Sequence, residues 1–255
     1  NKPPARLTDW QGQNWTPEDG RNGQTAAHPN ARFTAPLTQC PVLDARWNDA
    51  QGVPLAALLF GAQREDTWPL VTEAFDWRHG IFIGSTMASQ TAEEGTDTEK
   101  CLRRDPFALR RFCGYHIADY FAHWLRLVRL TSPSHLPRLF AVNFFRRDEN
   151  GELLWPGYSE NIRVLQWVFE RLDKAPAPIG TAAGLVATPD DLHLSRLQIA
   201  PDASRQLLTV SPAEWRHEAH DLLDFYEIFG ERLPDELRDE LEKLIERLHP
   251  KLEMI

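Results

Sequence analysis

Up to residue 54 the chain is rich in Pro, Gly, Asn and Thr and shows little hydrophobic periodicity, which predicts ordered loop with a short strand or two. Leu55 to Phe60 is an apolar run stopped by Gly61 and reads as a buried strand. Trp68 to Phe75 fits either period, and Gly80-Ile-Phe-Ile-Gly84 reads as a strand between two glycines. Residues 85–100 are small, polar and acidic; such a segment gains too little burial to offset its ordering entropy. Asp105-Pro106 signals a helix start, and Tyr115, Ala118, Ala122, Leu125 and Val128 mark a second helix. Arg138 to Phe145 predicts a strong strand, with a polar turn at 146–151 and a brief return strand at Leu153–Trp155. Ser159 is placed to cap a helix whose Ile162, Leu165, Val168, Phe169 and Leu172 would share a face. Lys174 to Pro178 breaks that pattern. Ser211-Pro-Ala-Glu214 is a capping box opening a helix to about Phe229, and Asp235 to Leu248 is a further amphipathic helix. The elements sum to a mixed α/β (α+β) chain, divided as a loop-rich lead-in over 1–54 and a larger lobe over 55–255.

Composition narrows the function. A chain of 255 residues with 42% hydrophobic and 25% charged residues can build a real core. A net charge of −9 offers no general attraction to nucleic acid or to an anionic membrane, so any anion site must be a local pocket. No run approaches the ~18 apolar residues of a membrane helix. The absence of an initiator Met and of a signal-peptide pattern suggests a fragment or a trimmed chain. Three cysteines (Cys40, Cys101, Cys113) without a CxxC pair suit a reducing, cytoplasmic compartment. His217-Glu-Ala-His220 falls one residue short of a zinc signature, and solvent-facing histidines are the favoured reading.

Candidate chemistry begins at His28-Pro-Asn-Ala-Arg-Phe33. Asn30 and Arg32 lie two apart, so in an extended segment they project to one side, an amide beside a guanidinium fork suited to a carboxylate or phosphate. The segment HPNARF…QCP is similar to HPNSRF…QCP of the GTP-type phosphoenolpyruvate carboxykinases. The likeness continues in order through Gly52-Val-Pro, Leu59-Phe-Gly61, Trp77-Arg-His-Gly80, Asp105-Pro-Phe-Ala108, Gly114-Tyr115, Ala122-His-Trp-Leu125 and Leu154-Trp-Pro-Gly157, and thins after about Leu172. The resemblance implies the C-terminal lobe of that fold and an enzyme that decarboxylates oxaloacetate and phosphorylates the enolate to phosphoenolpyruvate. It implies substrate binding by Asn30 and Arg32, with Arg32 also the catalytic residue at the transferred phosphoryl group, and phosphate binding at Gln63 and Arg64. It further implies a mobile lid over 84–100 (Gly84, Ser85, Ala88, Gly95, Lys100) and guanine contacts from Phe144, Phe145, Tyr158 and Asn161. Mn2+ or Mg2+ would serve the reaction through ligands outside this chain, with GTP/GDP or pyrophosphate as co-substrate and an N-terminal lobe, in the same precursor or a separate chain, as partner.

Three departures touch the donor side. Gln63 stands where the family has Arg on the nucleotide phosphates, Ala88 replaces an Arg at the start of the lid, and Leu153 replaces an aromatic facing guanine. A charge-assisted hydrogen bond is worth about 1.5–3 kcal/mol, so the first exchange should be felt. The pattern leaves the donor open between GTP and pyrophosphate, and keeps a non-catalytic regulatory or assembly lobe as the rival. No GxxxxGK[ST] phosphate loop occurs in the chain, so by itself it is expected not to turn over.

Overall fold

The computed structural model describes residues 5–28, 35–91, 101–173, 177–197 and 199–249; the side chains of Thr91 and Tyr158 are not described. The chain divides into two compact units, 1–54 and 55–255. In the first unit, β1 (Leu7–Thr8) and β2 (Asn14–Trp15) pair antiparallel, followed by the single-turn helix α1 (Pro17–Arg21). Trp15 organises it. Its indole Nε1 donates to the carbonyl of Gln24 at 2.9 Å, and its ring lies so close to Gly20 that a Cβ there would meet it at 2.7 Å.

The second unit is built on a five-stranded mixed sheet in the order β3-β7-β4-β9-β8. The strands are β3 (Ala57–Gly61), β4 (Val71–Glu73), β7 (Arg138–Val142), β8 (Ile179–Thr181) and β9 (Gly184–Val186). β7 runs parallel to β3 and antiparallel to β4. Its side chains alternate faces, as strand geometry requires. Leu139 and Ala141 enter a core with α2 (Trp77–Thr86), α3 (Ile117–Arg126), α6 (Pro212–Glu227) and α7 (Asp235–Leu248), while Phe140 enters a second core with α4 (Asn161–Leu172) and α5 (Pro201–Leu208). A separate antiparallel hairpin joins β5 (Ala88–Thr91) to β6 (Cys101–Arg104).

Several expectations are corrected. Gly80–Gly84 is not a strand but the middle of α2. Asp76 caps that helix by accepting the His79 N–H at 2.9 Å, and all but one of its ten residues are buried. A helix buried on nearly every side shows no clean amphipathic period, and its short apolar centre Gly80–Gly84 therefore mimics a strand. Its glycines permit close packing: a Cβ on Gly80 would meet Leu139 at 2.1 Å, and one on Gly84 would meet the Phe107 ring at 2.5 Å. Pro106 opens only a 3-10 turn, because Phe107 adopts a left-handed φ of 55° to place its ring against Trp124 and Phe60. The strand at Arg138 ends at Val142, and the return at Leu153 is a lone bridge to Arg147. On α4 the buried side is Val164, Trp167 and Val168, while Ile162, Leu165 and Phe169 are exposed. Strands β8 and β9 and helix α5 were not foreseen.

Candidate functional site

Both parallel strands, β3 and β7, deliver their carboxyl ends to the same edge, where open α/β sheets place ligands. The segments that leave them are tied together by one buried amide. Asn143 accepts the Arg64 N–H at 3.1 Å and donates to the carbonyls of Arg64 at 2.8 Å and Trp68 at 3.0 Å. Its Oδ1 also accepts the Phe145 N–H at 3.3 Å. Glu65 and Arg147 add a side-chain ion pair of 2.9 Å and a backbone bond of 2.9 Å.

The β5–β6 hairpin is docked on this edge. The Gln90 N–H donates to the Gln63 carbonyl at 2.8 Å, and the Gln63 N–H donates to Ser89 Oγ at 3.1 Å. Gln90 Oε1 then accepts the Glu65 N–H at 2.5 Å. Residues 92–100 connect the two strands and, with Gly95 and Lys100, lie outside the described residues. The first residues of the expected lid lie in a helix. Gly84 and Ser85 are buried in the last turns of α2, where the Ser85 hydroxyl meets Tyr226 at 2.6 Å and donates to the Phe82 carbonyl at 2.9 Å. Burial pushes the Tyr226 phenol up, against the pull of Ser85 and Arg104. Ala88 is buried in β5 opposite Arg104.

Beneath the hairpin sits a charge cluster that the linear sequence did not announce. Glu218 of α6 is 3% exposed and accepts a bidentate pair from Arg64, at 3.2 Å and 2.8 Å, and a third bond from Arg104 at 2.5 Å. Arg104 closes β6 and also donates to the Thr86 carbonyl at the end of α2, at 3.0 Å. Burial alone would raise the Glu218 carboxyl, but the two guanidinia outweigh it and hold the group below its ordinary range. By the same balance, burial would lower Arg64, yet Glu218 and Asp66 raise it. Arg64 therefore turns inward to Glu218, and this arrangement does not present it to a phosphate; only Gln63 of that pair is exposed.

The residues expected around a base divide. Phe144 and Asn161 line one cavity of about 500 Å³ with Leu59, Ile162 and Leu165. Phe144 lies against Trp155 with ring centroids 6.3 Å apart, and Asn161 Oδ1 accepts the Trp155 indole N–H at 2.8 Å. Phe145, 38% exposed, is not part of that lining. Asn30 and Arg32 lie outside the described residues. Among the described residues no group of three His, Cys, Asp or Glu side chains could hold a metal ion, so no step is assigned to one here. No described helix is long and apolar enough to cross a membrane. Asn143, Arg104 and Glu218 were missed by sequence reasoning; an acidic residue inside the buried stripe of α6 was the one available signal.

Comparison with known proteins adds the context of this edge. The C-terminal P-loop domain of phosphoenolpyruvate carboxykinase is the family whose profile matches, over residues 1–247. Proteins named phosphoenolpyruvate carboxykinase [GTP] from Chlamydia muridarum and Chlamydia trachomatis are 44% and 45% identical over 243 residues, covering 95% of this chain and 40% of each relative. The protein of that name from Treponema pallidum is 45% identical over 253 residues, covering 96% of the chain and 41% of the relative. The chain thus spans about two fifths of the length of these relatives.

Proposed function

We propose, for a chain that belongs to the phosphoenolpyruvate carboxykinase family through its C-terminal P-loop domain, that it is the lid-bearing part of a GTP-dependent carboxykinase. The longer protein would interconvert oxaloacetate and phosphoenolpyruvate plus CO2. One observation carries the reading: the hairpin that frames residues 92–100 is hydrogen-bonded to Gln63, at the carboxyl ends of β3 and β7. A segment attached there can cover whatever binds at that edge. Closure over the site would exclude water and protect an enolate from protonation.

Within this reading Asn30 and Arg32 hold the substrate anion, and Arg32 reaches the phosphoryl group. Transfer between two anions calls for fixed positive charge and positioning more than for covalent chemistry. Gln63 is the residue at the donor phosphates. Arg64 acts through Glu218 as a positioning residue at the lid's root, a changed role from direct phosphate binding. Phe144 and Asn161 hold the base, with Asn161 Nδ2 offering donors while Oδ1 is engaged by Trp155. Tyr158 and Phe145 complete that site in the reading. The N-terminal lobe and a divalent cation, Mn2+ or Mg2+, come from the rest of the longer protein, working in a reducing, cytoplasmic compartment.

The exchange of Arg for Gln63 keeps pyrophosphate as the competing donor. Incubation of the longer protein with oxaloacetate, Mn2+ and either GTP or pyrophosphate separates the two. Phosphoenolpyruvate formed with GTP supports the proposal; formation with pyrophosphate alone reassigns the donor, and formation with neither removes the enzymatic reading.

A further inference from the structure

At the other side of α6, away from Glu218, the chain builds a basic groove that the carboxykinase reading does not use. Arg216 and Arg247 both line a cavity of about 400 Å³ together with His249. Arg216 and His249 continue into an adjoining cavity of about 240 Å³, where His220 joins them. No acidic residue lines either cavity, in a chain whose net charge is −9.

The guanidinium of Arg247 is fixed but incompletely satisfied. Its Nε donates to the Ala182 carbonyl at 2.9 Å and its carbon lies 5.0 Å from the Phe75 ring centroid. Its Nη2 is buried and has no hydrogen-bond partner. Leaving such a donor unpaired in a protein interior is costly, and because Nη2 has no accessible surface Arg247 meets the cavity through the rest of its guanidinium and stem. Burial lowers the Arg247 pKa, and the facing carboxylates Glu240, Asp76 and Glu246 do not fully offset it. Glu240 is itself engaged by Lys243 at 2.7 Å. Arg216 makes one long bond, 3.4 Å, to the Leu248 carbonyl. The remaining walls are apolar, with Val210, Pro212 and Leu248 beside the guanidinia.

Two guanidinium forks and an imidazole without a lining carboxylate suit a group bearing more than one negative charge, since planar guanidinium matches phosphate geometry. The apolar walls suit a short organic body attached to it. We propose that this groove binds a small phosphate monoester, the phosphate held by Arg216 and Arg247 and the body resting on Val210, Pro212 and Leu248.

Calorimetric titration of phenyl phosphate into the longer protein tests this, with oxaloacetate and GDP present at saturation, so that the carboxykinase cleft is filled without adding a competing phosphate monoester. The expected result is one saturable site per chain that binds phenyl phosphate more tightly than benzoate. Arg216→Gln should weaken it at least about tenfold, from the loss of a charge-assisted contact, with the melting temperature unchanged. If Arg216→Gln lowers the melting temperature, His249→Asn replaces it, with weakening again expected. No binding beyond the filled cleft, equal affinity for benzoate, or equal affinity in the folded variant would each overturn the proposal.

Discussion

Replacing Glu218 by Gln should loosen the β5–β6 hairpin selectively. The exchange keeps volume, so no cavity opens, but it removes the one charge that holds two guanidinia. Arg64 is 3% exposed and would stay buried with only Asp66, at 3.5 Å, as a charged partner; Arg104, with 10% of its side chain exposed, would lose its ion pair to α6 and keep the Thr86 carbonyl and the Phe225 ring. Breaking a buried ion pair by neutralising one partner costs about 3–5 kcal/mol. Because β6 reaches α6 through Arg104, much of that cost should appear in the opening of β5–β6 and its neighbours. Each 1.36 kcal/mol is about tenfold in an equilibrium, so opening should become roughly two to three decades easier. Native-state hydrogen exchange reads this directly, since it reports local opening as well as global unfolding. The Gln90 and Asp105 amides, bonded to the Gln63 and Met87 carbonyls, should exchange faster by that factor. Amides in the middle of α7, around Leu241 and Leu244, should change far less. Equal acceleration at both places would show that the cluster stabilises the core alone and has no special hold on the hairpin.

Two further outcomes follow from named side chains. His79 is buried, accepts the Phe75 N–H at 3.1 Å through Nδ1, and is held neutral, with burial and then Arg247 and Lys243 lowering its pKa to about 3. The unfolded chain takes up this proton near pH 6.5, so the stability from a neutral His79 is present above that pH and lost as pH falls towards 3. Thermal melts should therefore fall in temperature from pH 7 to pH 5, and the fall should be shallower in His79→Gln; identical slopes would contradict the assignment. Under the proposed function, Gln63→Arg should put a charge at the donor phosphates and lower the KM of the longer protein for GTP by roughly tenfold or more, from a contact worth about 1.5–3 kcal/mol; initial-rate kinetics that show an unchanged KM would place the donor elsewhere.

The parts of the fold that were legible in the sequence carry regular periods or local caps. Of the expected Ser211 capping box, the cap itself is seen, with the Glu214 N–H donating to Ser211 Oγ, while the Glu214 carboxylate accepts the Thr67 N–H instead; α6 and α7 run close to their expected spans. The Leu55–Phe60 run becomes β3, one residue offset at its end, although as a half-exposed edge strand and not the buried strand expected. What failed to read depends on partners distant in sequence. Gly80–Gly84 becomes helix because Leu139 and Phe107 can approach its glycines. On α4 apolar residues occupy two faces, and only the packing of Trp167 against Phe140 decides which is buried. The charge cluster joins Arg64, Arg104 and Glu218 across 154 positions, a proximity no local pattern encodes. The motif order, by contrast, pointed to the family from short ordered matches such as HPNARF and QCP, which owe nothing to secondary structure.

The most direct measurement is the rate of phosphoenolpyruvate formation from oxaloacetate and GTP by the longer protein, compared with its Arg32→Ala variant. Removing a fixed donor to the charge developing in the transition state typically costs about 10²–10³ in kcat. A loss of that size is expected, with the melting temperature unchanged. An Arg32→Ala variant that forms phosphoenolpyruvate at the rate of the unaltered protein would contradict it.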